Sequence, residues 1–438
     1  MDGPAVGFAG FFALLVLLVL RVPIAIGMLA VGLTGSVYLS GWAPIFASLK
    51  TQPYSTFASH SFSIIPLFLL MGALAARAGL ARALFDLAQR GLGRFRGGVA
   101  MSAVAGCGLF GAICGSSLAT AATMGRIALP ELRRQGYSHG MATGALAAGG
   151  TLGILIPPSI VLVLFALLTE QNIATLFLAA FLPGALAVLG YLAAVWITAV
   201  LRGEGARRLD EPVHRDGELS NAEGQWAALP ALGIFAIVIG GIYSGVFTPT
   251  EAASIGVILT LGLALLRRIS LVDLKAALIE TATTAAMIYM ILLGADLFSA
   301  FLARTQAPQM LTEWAAGSGL SPMVILIGVL LLYLVLGCLM DSLSMIILTV
   351  PLFFPLIVSL DFGLTPTEVA IWFGILTLVV VEVGLITPPI GMNVFIIHKL
   401  SGAEDMAATF RGVVPFLLSD ALRIVLLVAF PVITLMFV

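Results

Sequence analysis

Apolar runs of about 20 residues, the length a helix needs to cross bilayer hydrocarbon, recur along nearly the whole chain. In hydrocarbon every backbone N–H and C=O has to be satisfied within the protein, so only helices and closed barrels can span it. The period-2 alternation of barrel strands is missing, and the expected fold is an all-α integral membrane protein set in a lipid bilayer. Composition agrees, since only 10% of the 438 residues are charged, against about a quarter in a soluble domain. A net charge of −1 argues against a nucleic-acid partner. Cys107, Cys114 and Cys338 all lie in apolar segments, which suggests neither a disulfide framework nor a zinc site. Residues 8–20 are apolar, with Asp2 before them and Arg21 behind. A secretory signal has its positive charge in front, so an uncleaved first helix is expected.

Two apolar segments are interrupted in the same way: GGTLGILIPPS at 149–159 and VGLITPPIGMN at 383–393. Proline removes a donor and clashes with the preceding turn, so each stretch predicts a helix broken within the membrane. The two breaks belong to a doubled pattern. Gly72 and Gly294 are 222 residues apart, Pro130 and Pro351 are 221, Pro157 and Pro388 are 231, and Pro23 and Pro249 are 226. The expected organisation is a first repeat at 1–201, a hydrophilic cytoplasmic linker at 202–225, and a second repeat at 226–438. Basic residues cluster at Arg82, Arg90, Arg94 and Arg96, at Arg133 and Arg134, at Arg207, Arg208 and Arg215, and at Arg267, Arg268 and Lys275. All face the cytoplasm if each half has about five transmembrane helices and one re-entrant hairpin. An odd number of crossings inverts the second half relative to the first and puts both termini outside, the plan of many secondary transporters.

The hairpins are expected at 98–132, turning at Gly115, Ser116 and Ser117, and at 322–357, turning between Gly337 and Ser342 with Asp341 at the tip. Broken helices are expected at 138–169 and 367–399. Such turns are tolerated only where buried in protein or lining a watery cavity. A break at the midplane exposes carbonyls at one stub and amides at the other. Carbonyl and hydroxyl oxygens are hard ligands suited to Na⁺, and helix N-termini attract a carboxylate. The candidate ion and substrate residues are therefore those of the tips and breaks: Gly115, Ser116, Ser117, Gly150, Thr151, Pro157, Pro158, Gly337, Asp341, Ser342, Gly384, Thr387, Pro388, Pro389 and Asn393. Glu382 stands just before the second break. Glu251, in a TPTE stretch, reads as a helix cap, and Arg126 as a side chain that snorkels to the surface. Asp296 either bridges helices or joins the site. The four histidines are scattered, and neither HExxH, GxSxG nor a Walker A lysine motif occurs. Neither catalysis nor ATP hydrolysis is expected; a passive anion channel and an intramembrane enzyme are the alternatives to a carrier.

Six stretches carry a family resemblance: RVPIAIGMLAVG (21–32), IPLFLLMGALAARAG (65–79), FGAICGSSLATAATMGRIALPEL (110–132), AAGGTLGILIPPS (147–159), GGIYSGVFTPTEAA (240–253) and EVGLITPPIGMNVF (382–395). In these the chain resembles the large membrane subunit of tripartite ATP-independent periplasmic (TRAP) transporters. The resemblance implies a Na⁺-coupled importer of organic acids in the bacterial inner membrane, with periplasmic termini. It also implies two partners, a small four-helix membrane subunit and a periplasmic substrate-binding protein. No counterpart of the small subunit stands in these residues, so a separate rather than fused partner is expected. The family moves by an elevator mechanism, which carried over gives a transport body of 62–169 and 285–399. The scaffold would then be 8–40, 177–201, 226–266 and 413–437. Family ion sites match Ser116, Ser117, Gly150, Thr151, Asp341, Ser342, Thr387 and Asn393, with Na⁺ near Ser116, Ser117, Asp341 and Thr387. Which organic acid is carried stays open.

Overall fold

The computed structural model describes residues 3–204, 227–402 and 404–438, and every regular element among them is helical. The linker call at 202–225, with Arg207, Arg208 and Arg215, lies almost wholly outside the described residues. The chain opens with α1 (Gly3–Val19) and α2 (Ile24–Ser40), then α3 (Trp42–Phe57), a 3₁₀ turn (His60–Ser63) and α4 (Ile64–Arg77). A short arm, α5 (Leu80–Leu92), leads into the hairpin α6 (Gly98–Cys114) and α7 (Ser117–Arg134). The broken pair α8 (His139–Leu155) and α9 (Ile160–Leu168) precedes α10 (Ile173–Arg202). The order then returns with α11 (Leu229–Tyr243), α12 (Pro249–Leu266), α13 (Leu271–Thr305) and the arm α14 (Ala307–Gly317). A second hairpin, α15 (Pro322–Gly337) and α16 (Ser342–Val358), leads to the broken pair α17 (Pro366–Gly384) and α18 (Met392–Ser401). The described chain ends with α19 (Met406–Ala429) and the single turn α20 (Val432–Leu435).

Local chemistry sets these boundaries. TPTE occurs at 248–251 and again at 365–368, and each opens a helix with a reciprocal capping box. Glu251 accepts from the Thr248 N–H and hydroxyl, so it caps α12. Asp296 on α13 accepts from the Thr56 hydroxyl at 2.6 Å and so bridges to α3. Arg126 is exposed on α7. Among the described residues six helical segments are long and apolar enough to cross a membrane, or seven if α8 and α9, bent by 41°, form one span. The apolar helices α1, α2 and α11 are shorter, at 17, 17 and 15 residues. This is a multi-pass membrane protein.

Packing repeats with partners exchanged between the halves. α2 runs along α13 as α12 runs along α4, α18 lies on α7 as α9 lies on α16, and α19 lies on α8 as α10 lies on α17. Two bodies result: α1–α4 pack with α11–α13, and α6–α10 pack with α15–α20. The contacts group the helices differently from the carried-over division into scaffold and transport body. α10 and α19 pack against α8 and α17, in the hairpin body, while α4 and α13 pack against α12 and α2. The reason for α19 is direct. A Cβ on Gly412 would overlap the Gly140 carbonyl, and one on Gly144 would strike the Gly412 backbone, so α8 and α19 cross nearly backbone to backbone. Small residues permit such an approach.

Candidate functional site

The first hairpin turns in two residues. Gly115 takes the left-handed conformation (φ 65°) that ends α6, and the Ser116 hydroxyl accepts from the Ala119 N–H to start α7. Ser117 is buried. The second tip starts α16 with a carboxylate: Asp341 accepts from the Ser344 N–H at 3.0 Å and from the Ser344 hydroxyl. Asp341 is half-buried and Ser342 buried.

Each tip is seated on its own break. A Cβ on Gly111 would lie 2.5 Å from Gly153 Cα, and one on Gly384 would lie 2.7 Å from the Gly337 backbone. Gly153 and Gly384 both stand four residues ahead of a proline pair, so the two contacts are equivalent. The Pro157–Pro158 and Pro388–Pro389 bonds are both cis. At the first break Ser159 donates to Ile154 O and accepts from Leu162 N–H. At the second, Thr387 donates to Val383 O at 2.7 Å and Gly391 (φ 59°) turns the chain into α18. Asn393, in the first turn of α18, donates from Nδ2 to Ala147 O in the middle of α8 at 3.2 Å and so ties the two halves together. The structure thus brings together the tips and breaks on which the candidate residues lie. Gly150 sits against Ala121 of α7, and Thr151 is buried with its hydroxyl on Ala148 O.

Asn393 Oδ1, at the start of α18, is buried and accepts no hydrogen bond from the protein, and the buried Thr120 Oγ1 lies beside the first tip. A Cβ on Gly153 would meet both Thr120 Oγ1, at 2.7 Å, and Ser116 O, at 3.0 Å, so a hydroxyl and a carbonyl flank one point beside the first tip. Among the described residues no cluster of three or more His, Cys, Asp or Glu could hold a metal. The oxygens named at the tips and breaks are mainly neutral hydroxyls and carbonyls, which are hard donors.

Sequence reasoning missed Thr120 and a buried cluster on the last helices. Arg423 Nη2 donates to Glu382 Oε2 at 3.0 Å and to Asp420 Oδ1 at 2.8 Å. Tyr191 OH donates to Asp420 Oδ2 at 2.8 Å and lies 3.4 Å from Thr151 Oγ1. Asp420 and Arg423 stand alone in an apolar run, and intramembrane charge was the available signal. A cavity of about 10 Å³, lined by Ser36, Gln52 and Arg304 among others, lies against α2, α3 and α13, away from the tips.

Residues 11–433 match the family described as "Tripartite ATP-independent periplasmic transporter, DctM component". The chain is 35% identical over 409 residues to the C4-dicarboxylate TRAP transporter large permease protein DctM of Pseudomonas aeruginosa, covering 93% of each. It is 29% identical to the sialic acid TRAP transporter large permease protein SiaM of Vibrio cholerae, covering 97% of this chain and 96% of that one. The fold is similar to the crystal structure of the Alcanivorax borkumensis YdaH transporter, with TM-score 0.64, 14% identity, and 96% and 98% of the two chains covered.

Proposed function

The chain belongs to the DctM-component family of tripartite ATP-independent periplasmic transporters, and from that premise we propose that it imports a small organic acid by Na⁺ symport. The family is one of ATP-independent transporter permeases, not enzymes, and its tripartite description implies further components. One observation carries the reading: each hairpin tip is seated, glycine against glycine, on its own broken helix, and Asn393 of α18 ties the second half to α8 of the first. Hydroxyls and carbonyls around Ser116, Ser117 and Thr120 would hold one Na⁺, and those around Asp341 and Thr387 another. Na⁺ would supply positive charge beside a bound carboxylate. The protein's own part is to aim the N-termini of α7, α9, α16 and α18 at that carboxylate. Relatives named for C4-dicarboxylates and sialic acid favour a substrate with a carboxylate.

The exchanged packing of the halves supports an inverted repeat, with ten crossings, two hairpins and both termini periplasmic in a bacterial inner membrane. Movement follows from cost. A tip that peeled away alone would uncover backbone groups that lipid cannot satisfy, whereas moving α6–α10 with α15–α20 keeps them covered. The arms α5 and α14 link that body to the one around α2 and α13, which favours an elevator. A small four-helix membrane subunit and a periplasmic binding protein complete the system. Uptake into proteoliposomes holding all three components tests this. A Na⁺ gradient should drive accumulation of a C4-dicarboxylate or other organic acid loaded on the binding protein. Equal uptake on K⁺ with no Na⁺ gradient would overturn it.

A further inference from the structure

We propose that Arg423, with Tyr191, Asp420 and Glu382, forms a positioning network that holds the two helix breaks in one register, so that ordering one orders the other. Thr151 stands six residues ahead of Pro157 and Glu382 six ahead of Pro388, so they occupy equivalent positions in the two halves. Tyr191 on α10 and Arg423 on α19 are 232 residues apart, within one of the 231 that separates the breaks. The network therefore joins equivalent points of both broken helices through equivalent points of both closing helices. It runs from Tyr191 OH through Asp420 and Arg423 to Glu382, and Arg423 also lies over the Tyr191 ring at 6.0 Å. Its contact with α8 is the long one: with the Tyr191 proton on Asp420, Thr151 Oγ1 has to share its single proton between Ala148 O at 2.7 Å and Tyr191 OH at 3.4 Å.

Burial makes the geometry demanding. Glu382, Asp420 and Tyr191 are fully buried and Arg423 is 4% exposed. A buried ionic cluster often stabilises no better than apolar residues of the same volume, but it can specify a single register. Asp420 and Arg423 share α19 and hold each other at i,i+3, which fixes the guanidinium, so sliding α17 along α19 breaks the one ionic contact that crosses, Arg423 to Glu382. Arg423 Nε and Nη1 and Glu382 Oε1 have no protein partner, which leaves the shared Nη2 as the link between the helices. Trp372 Nε1 donates to Leu427 O at 2.9 Å and closes the same two helices one level away. The stubs held in this way end at Leu155 and Gly384, whose last carbonyls face the breaks. A site assembled from backbone oxygens of both stubs depends on their spacing to well under 1 Å.

The inference rests on the Na⁺-symport reading for its functional consequence and on structure alone for its mechanical one, and the test separates them. In hydrogen exchange of the full-length protein in lipid nanodiscs, Tyr191→Phe keeps the ring and removes only the hydroxyl. It should speed exchange about tenfold, the worth of one hydrogen bond to a charged group, in both 149–159 and 383–393. Arg423→Met should do more and Arg423→Lys less. Faster exchange confined to 149–159, or unchanged in both segments, would overturn the network. In the reconstituted system, Tyr191→Phe should raise the half-saturating Na⁺ concentration about tenfold and lower its cooperativity while keeping the maximal rate. Wild-type uptake indifferent to Na⁺ would instead overturn the symport reading, and the exchange result would still decide the network.

Discussion

The two breaks share order, glycine contact and cis proline pair, yet they differ in enclosure. At the first, four residues (156–159) separate α8 from α9, and Pro157, Pro158 and Ser159 are all buried. At the second, seven residues (385–391) separate α17 from α18, and Pro388, Pro389 and Ile390 are exposed. The tips follow suit. Gly115 and Ser117 are buried, whereas Leu339 is exposed and Asp341 half-buried. Side chains explain part of this. Ser159 caps α9 from within, while α18 has a left-handed glycine in place of a side-chain cap. Duplicated architecture thus gives one enclosed and one exposed break.

Labelling measures that contrast most directly. In a background without native cysteines, Ile390→Cys should react with a polar maleimide roughly a hundredfold faster than Ser159→Cys, because the latter must wait for local opening. Equal rates would erase the distinction between the breaks. The next effect is one of packing. Gly111→Ala drives a methyl into the Gly153 backbone, whereas on Gly337 the nearest backbone atom is 3.3 Å away. Overpacking should cost the first variant about 1–3 kcal/mol and the second less, read from thermal unfolding in detergent.

The tips themselves come third. Ser117→Ala and Asp341→Ala should each raise the Na⁺ requirement of uptake several-fold, about 1 kcal/mol per lost contact. Asp341→Ala should also lower thermal stability, because its carboxylate caps α16. Unchanged Na⁺ dependence in both would make the tips structural. The smallest effect is a control that ignores the contrast. Thr248→Ala and Thr365→Ala remove the same capping box at exposed sites, and each should cost about 1 kcal/mol. A large difference between them would mean that the halves diverge beyond the breaks.

The sequence alone determined what depends on neighbours in the chain. Apolar run length makes helices obligatory in hydrocarbon, proline pairs mark where two of them stop, and GSS, DSLS and TPTE carry their own caps. Those signals act over a few residues and survive without a partner. Only the tertiary structure decided which helices pack in company. α10 and α19 are as apolar as any lipid-facing helix, and nothing local in them says that Gly412 would meet Gly140. It also decided the meaning of Asp420 and Arg423, which pair with each other on one helix but reach Glu382 and Tyr191 only because other helices bring them there. Thr120 was hidden for the same reason: its hydroxyl matters because Gly153 and the Ser116 carbonyl lie beside it. Periodicity records what a residue does to its own helix. A buried polar group is defined by what the rest of the chain brings within 3 Å of it.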